Sequence, residues 1–311
     1  MTGSVGGFAL AAASVLVISA IVARGGDSKG DARAGQLFKF QSYLLLFTFV
    51  LTLLQRVDLM LIKALSSPDA TTASENAGYY SAAVDIANIT YQIIVSVTFV
   101  IFPLISQSTF ADDRARTQGY ISKTLRYTLM VMALTATLFS SSASGVLRVI
   151  YGDTYQAGSQ ALRIVAFGML FFGLLYIVTT IISASGHPGV SLLLGVMTLV
   201  TSTALNALLI PSQGLIGAAT ATTVAMLVGT VLASVYLWRR FRTLMSFRSA
   251  LRIAACAGVV YGASLLFSPV SKVLVIAQLL AMSVAYVIVL VLSGELGRID
   301  LKLIARVVRG I

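Results

Sequence analysis

Apolar runs long enough to cross a bilayer alternate with short polar connections along almost the whole chain. They fall at 4–23, 40–65, 79–106, 126–150, 161–185, 189–210, 215–238, 250–268 and 272–293. A helix needs about 20 apolar residues to cross the hydrocarbon core, so each run predicts one transmembrane helix. Lipid offers the backbone no hydrogen-bond partners, which favours helices over open strands. The runs also lack the two-residue alternation of a transmembrane barrel. The expected fold class is therefore an all-α polytopic membrane protein with about nine transmembrane helices. The second and third runs exceed one crossing and are expected to tilt or project. The connections leave no room for a soluble domain.

Composition supports this reading. The chain has 311 residues, of which 58% are hydrophobic and 11% charged. A soluble domain of this size carries far more polar surface. The net charge of +11 would suggest nucleic acid in a soluble protein. Here its placement points to membrane topology instead, and no nucleic-acid partner is expected. Four connections hold most of the basic residues. They contain Arg24, Lys29, Arg33 and Lys39; then Arg114, Arg116, Lys123 and Arg126; then Arg239, Arg240, Arg242, Arg248 and Arg252; then Arg298, Lys302, Arg306 and Arg309. Only Arg56, Lys63, Arg148, Arg163 and Lys272 lie elsewhere. Basic loops stay cytoplasmic. The loop 66–78, with Asp69 and Glu75 and no basic residue, reads as external. An odd number of crossings then places the C-terminus in the cytoplasm and Met1 outside. The first run has no basic residue before it, so it does not read as a cleavable signal. Cys256 is the lone cysteine and reads as a small core residue.

The layout is one helix, then six, then two. Residues 1–23 form the lone helix and 24–39 a glycine-rich cytoplasmic linker. Residues 40–238 form a six-helix block and 239–249 a basic loop. Residues 250–293 form a helix pair and 294–311 a basic tail.

Candidate chemistry is sparse. In the third run Ser81, Asp85, Asn88, Gln92 and Ser96 recur at steps of three and four, which makes one stripe on a helix. An acidic group facing lipid costs about 2.5–3.5 kcal/mol at the bilayer centre, so Asp85 is expected to face protein or a water-filled cavity. Pro103 is expected to kink this helix or loosen its last turn. In the second run Thr48, Thr52 and Arg56 share a face. Arg56 is either a structural ion-pair partner of Asp58 or Asp85, or a substrate ligand. Arg56 and Asp58, two apart, point to different faces. Gly217, Ala221, Ala225, Gly229 and Ala233 form a small-residue ridge suited to close helix packing. His187, between Gly186 and Pro188, reads as a turn residue. A phosphate-binding loop, HExxH, CxxC and GxSxG are all absent from the sequence, so no cofactor, no metal and no catalytic residue are expected and the chain reads as a non-enzyme.

Several segments resemble polysaccharide flippases of the multidrug/oligosaccharidyl-lipid/polysaccharide exporter superfamily. They are Tyr79–Tyr80–Ser81–Ala82–Ala83 with Phe102–Pro103–Leu104–Ile105–Ser106, and Tyr151–Gly152–Asp153–Thr154–Tyr155 with Ala161–Leu162–Arg163–Ile164. Ala184–Ser185–Gly186 and Leu205–Asn206–Ala207–Leu208–Leu209–Ile210–Pro211 followed by Gly214–Leu215–Ile216–Gly217–Ala218–Ala219 complete the set. The likeness covers roughly residues 40–240. It implies two six-helix lobes related by pseudo-symmetry, with an extra C-terminal helix pair. On that pattern 1–23 is the last helix of a first lobe otherwise missing its N-terminal five helices, and 40–238 is the second lobe.

The resemblance implies movement of a polyprenyl-diphosphate-linked oligosaccharide across the bacterial inner membrane, for lipopolysaccharide or exopolysaccharide synthesis. Polysaccharide polymerase and glycosyltransferases are the candidate protein partners. Arg56 is then expected to attract the diphosphate. Asp85, Asn88 and Gln92 would line the cavity and meet the glycan, and Asp58 would orient Arg56 or bind a coupling cation. Lobes would rock about the site in alternating access. The rival readings are a drug/cation antiporter of the same superfamily and a truncated, non-transporting membrane subunit. A polytopic glycosyltransferase is disfavoured by the short external loops.

Overall fold

The computed structural model describes residues 34–267 and 271–297. The expected helix over 4–23, most of the linker and the basic tail lie outside the described residues. The chain divides into two compact units, Met1–Gln41 and Ser42–Ile311; all contacts below belong to the second. No strand occurs among the described residues, in keeping with the all-α expectation.

The first expected long run is two helices, α1 (Ala34–Leu54) and α2 (Val57–Leu65), separated by a turn at Gln55–Arg56. Next comes α3 (Ala70–Phe110), whose N-cap Asp69 accepts from the Thr72 amide at 2.8 Å. Its 41 residues reach about 60 Å at 1.5 Å per residue, so it projects well beyond the apolar run. Pro103 lies inside α3 and does not end it. Asp113 caps α4 (Arg114–Ser141) by accepting from the Arg116 amide at 3.0 Å.

The span expected over 126–150 is not one straight rod. It bends by 81° between α4 and α5 (Ala143–Ile150). The break falls in the run Ser140–Ser141–Ser142–Ala143–Ser144–Gly145, where hydroxyls compete for the backbone; Ser141 Oγ donates to the Leu138 carbonyl. A 3-10 turn over Asp153–Gly158 leads into α6 (Ser159–Ala184).

A 54-residue helical stretch, α7 (Pro188–Phe241), contains one non-helical residue, Gly214, at φ 56° and ψ −127°. Asn206 Nδ2 meets Thr222 Oγ1 at 3.2 Å, and a Cβ on Gly229 would lie 2.3 Å from Thr198 Oγ1. Such contacts require two arms folded against each other. The arms correspond to the runs 189–210 and 215–238, and Pro211 and Gly214 make the reversal. The small-residue ridge permits the close approach.

The chain ends in a hairpin, α8 (Phe247–Ser264) and α9 (Lys272–Leu292). Five helical segments among the described residues are long and apolar enough to cross a membrane, or six when α4 and α5 count as one span. α8 is not among them: its 18 residues include Arg248 and Arg252 and stop at Ser264. α6 sits at the centre, packed by α7, α3 and α4. Its buried residues include Leu162, Phe172, Leu175, Ile177 and Ile181.

Candidate functional site

The turn between α1 and α2 leaves one charge exposed and buries the opposite one two residues on. Arg56, at the N-cap of α2, is exposed, and its guanidinium makes no hydrogen bond or ion pair among the described residues. Asp58, two residues on, is 3% exposed. Its carboxylate accepts from the Tyr80 hydroxyl at 2.8 Å, the Thr222 hydroxyl at 3.2 Å and its neighbour's amide, Leu59, at 2.8 Å. Neither expected ion pair of Arg56, with Asp58 or with Asp85, is made. Asp58 does not orient Arg56 and does not reach the surface, because burial turns its carboxylate toward α3 and α7.

Asp58 heads a buried polar chain. Asn206 Nδ2 donates to Thr222 Oγ1, which donates onward to Asp58. Asn206 Oδ1 is buried and has no hydrogen-bond partner. No Lys or Arg among the described residues pairs with this carboxylate, so the amide and the two hydroxyls are what offset its burial.

The polar stripe of α3 lies on an open face. Asp85 and Gln92 are exposed, as is Ser96, and Asn88 is half-buried. Asn88 Oδ1 itself is buried without a hydrogen-bond partner. Ser81 donates a long bond, 3.5 Å, to Asp85, and Ser81 also shares a narrow crevice with Arg56, Tyr80 and Val84. Arg56 and Asp85 thus flank one serine. The same face carries Ile89, Ile93 and Phe99, all exposed, so it turns apolar with distance from Arg56.

A cavity of about 400 Å³ lies between α1, α3 and α6. Thr48 and Thr52, which share the Arg56 face, line it with Gln55, Tyr91 and Tyr176. The Tyr91 and Tyr176 rings meet edge to face at 5.2 Å. Nothing in the lining carries a charge. Sequence reasoning assigned no role to Gln55, Tyr91, Tyr176, Tyr80, Asn206 or Thr222. Tyr80 and Asn206 stood in the quoted motifs, and a polar residue within an apolar run was the available signal. No cluster of His, Cys, Asp or Glu among the described residues has the makings of a metal site.

Comparison with known proteins agrees with this architecture. A family model described as "Lipid II flippase MurJ" matches residues 6–297. Over 160 residues the chain is 26% identical to the "Probable low-salt glycan biosynthesis flippase Agl15" of Haloferax volcanii, covering 51% of this chain and 34% of that protein. Among solved structures, "Lipid II flippase MurJ, inward closed conformation" aligns with a TM-score of 0.67 at 18% identity, over 92% of this chain and 61% of that one. An outward-facing multidrug-resistance transporter of the MATE family aligns with a TM-score of 0.56 at 15% identity, over 73% and 52% of the two chains. The chain therefore spans about a third of the curated relative and about three fifths of the matched flippase structure. With a match running through nearly all of its length, this multi-pass membrane protein belongs to the MurJ lipid II flippase family of the superfamily that its motifs resemble.

Proposed function

We propose that this chain takes part in moving a polyprenyl-diphosphate-linked oligosaccharide from one leaflet to the other, with 40–238 acting as the second lobe of an alternating-access flippase. The observation that carries this reading is the exposed, unpaired guanidinium of Arg56 beside the polar stripe of α3. A charge facing lipid is costly at this depth, so that face suits a water-filled cavity between lobes. Arg56 would hold the diphosphate through charge-assisted bonds, and Asp85, Asn88 and Gln92 would meet the glycan. The basic loops favour a cytoplasmic C-terminus, and the membrane of this reading is a bacterial inner membrane. Polysaccharide polymerase and glycosyltransferases would act on the same lipid carrier.

The test is leaflet transfer of a labelled lipid-linked oligosaccharide in membrane vesicles carrying the protein. Arg56→Ala is expected to reduce transfer about tenfold or more, the loss of one or two charge-assisted bonds, at unchanged membrane abundance. Arg56→Lys is expected to restore part of it. Undiminished transfer by Arg56→Ala would sink the assignment.

A drug/cation antiporter reading has one specific observation behind it, the buried Asp58 with its hydroxyl partners. Cation-dependent export of small cationic dyes, lost in Asp58→Asn and untouched in Arg56→Ala, would favour that reading. In the flippase reading Asp58 couples lobe movement to proton or cation binding, and both variants lose transfer of the lipid.

A further inference from the structure

The broken end of α4 meets the hairpin α8–α9 around a cavity of about 190 Å³, whose lining does not include Arg56. That is roughly six times the ~30 Å³ share of one liquid water. Its walls include Ser141, Ser142, Ser144, Arg163 and Gln278, and no acidic residue. Arg163, in the second turn of α6, is exposed and its guanidinium has no partner among the described residues.

Ser142 is the informative member. It occupies the N-cap of α5, yet no side chain caps that helix. It is 7% exposed, and its hydroxyl is buried without a hydrogen-bond partner. A buried hydroxyl left unmatched is costly, and beyond the 81° bend the start of α5, at Ser142, Ser144 and Gly145, forms part of the cavity wall, where helix amides favour an anion. An unmatched hydroxyl, an uncapped helix start and an unpaired guanidinium converge on one small space. Their shared complement is a compact oxyanion with several acceptor oxygens.

The cavity does not stand alone. An apolar groove of about 670 Å³ runs between α8 and α9, and Ser264, Phe267 and Gln278 line both. The polar site is the head of an apolar channel, an arrangement that fits an anion carried on a hydrocarbon chain better than a free ion.

We propose that this cavity is a lipid-phosphate site: Arg163, Ser142 and the α5 N-terminus bind the phosphate of a membrane lipid whose chain lies in the α8–α9 groove. By the charge pattern it opens toward the external leaflet. The proposal does not depend on the flippase reading.

The experiment is native mass spectrometry of the intact protein with two probes of identical acyl chains, phosphatidic acid and diacylglycerol. The wild type is expected to retain phosphatidic acid about tenfold better than diacylglycerol. Arg163→Gln should lower phosphatidic acid retention about tenfold, and Ser142→Ala about fivefold, from the loss of a charge-assisted and a neutral hydrogen bond. Arg240→Gln, in the last turn of α7, is the control and should bind as the wild type does. The two site variants act through different atoms, so misfolding of one, seen in its melting curve, leaves the other to decide. Wild-type retention in both folded variants overturns the proposal. So does an equal loss in the control, equal retention of diacylglycerol, or displacement of the lipid by millimolar inorganic phosphate, which would mark a free-anion site.

Discussion

α6 and α9 are both apolar enough to cross a membrane, yet they are held in opposite ways. The most apolar stretch of the α6 segment is 72% buried; that of α9 is 22% buried. α6 is gripped along its length. Thr223 and Thr230 of α7 donate to its carbonyls at Ile164 and Phe171, at 3.2 and 2.7 Å, and Gly168 and Gly173 let neighbours come close. α9 is fastened at a few points. The Tyr286 hydroxyl donates to the Met130 carbonyl at 3.0 Å, Val275 presses on Gly145, and Glu295 just beyond the helix is clasped by two arginines. In lipid, apolar surface gives little drive for helices to associate. Hydropathy therefore does not distinguish a helix at the hub from one at the rim; small residues and polar fasteners do.

The largest expected effect is at the hub. A Cβ on Gly168 would lie 2.7 Å from Thr223 Oγ1 and 3.4 Å from its Cα, and that hydroxyl is already engaged with Ile164. Gly168→Val is expected to destabilise the protein by about 1–3 kcal/mol or more through overpacking. Thermal unfolding in detergent should show a midpoint lower by several degrees. An unchanged midpoint would mean that α6 and α7 are not in close contact, and the comparison would fail.

A smaller and more local effect is expected at the rim. Glu295 is 3% exposed and pairs with Arg126 Nε at 2.8 Å and Arg252 at 3.7 Å; Arg126 also donates to the Glu295 carbonyl. Breaking a buried pair costs about 3–5 kcal/mol. Arg126 is a quarter exposed and Arg252 half exposed, so screening lowers the expectation to about 1–3 kcal/mol. Glu295→Gln should raise hydrogen exchange in α8 and α9 while α6 keeps its protection. Equal loosening of both would show that the hairpin belongs to the same cooperative unit as the lobe.

Much of the fold was legible because the bilayer imposes a length and a composition on each helix. The reversal between 210 and 215 could be read from Pro211 and Gly214. The bend at Ser142 and the turn at Gln55–Arg56 could not, since no proline marks them and the apolar runs continue through both. The candidate site was legible only by type. The step-four stripe of α3 placed Asp85, Asn88 and Gln92 on one face, and the structure shows that face open. The two-residue spacing separated Arg56 from Asp58. It could not show which of the two is buried, because that depends on Tyr80 and Thr222, the latter 164 residues away. The meeting of Arg163 with Ser142 could not be read for the same reason. They are near one another only because α4 breaks and α8–α9 folds back over the gap.

The smallest expected effect asks whether the firm hold on the lobe extends to the ends of its helices. α3 packs along α6; in its first turn Ala70, Thr71 and Thr72 are exposed and Ala73 is buried, and Asp69 supplies the cap. Both the amide and the hydroxyl of Thr72 donate to the Asp69 carboxylate, at 2.8 and 2.7 Å. The Thr72 amide above all, then its hydroxyl, holds this carboxyl below its ordinary value of 3.8. A depressed folded-state value means that the cap stabilises the folded state at pH values above 3.8 and is lost as pH falls through the lowered value. Hydrogen exchange over residues 70–76, corrected for the intrinsic rate, should therefore be slower in the wild type than in Asp69→Ala at pH 6. The difference should shrink as pH falls below 3.8, with α6 unaffected throughout. A difference that persists undiminished at low pH would show that the first turn is held by packing and not by its cap. The firmness of the hub would then reach the helix end, and the contrast between hub and rim would narrow to the hairpin alone.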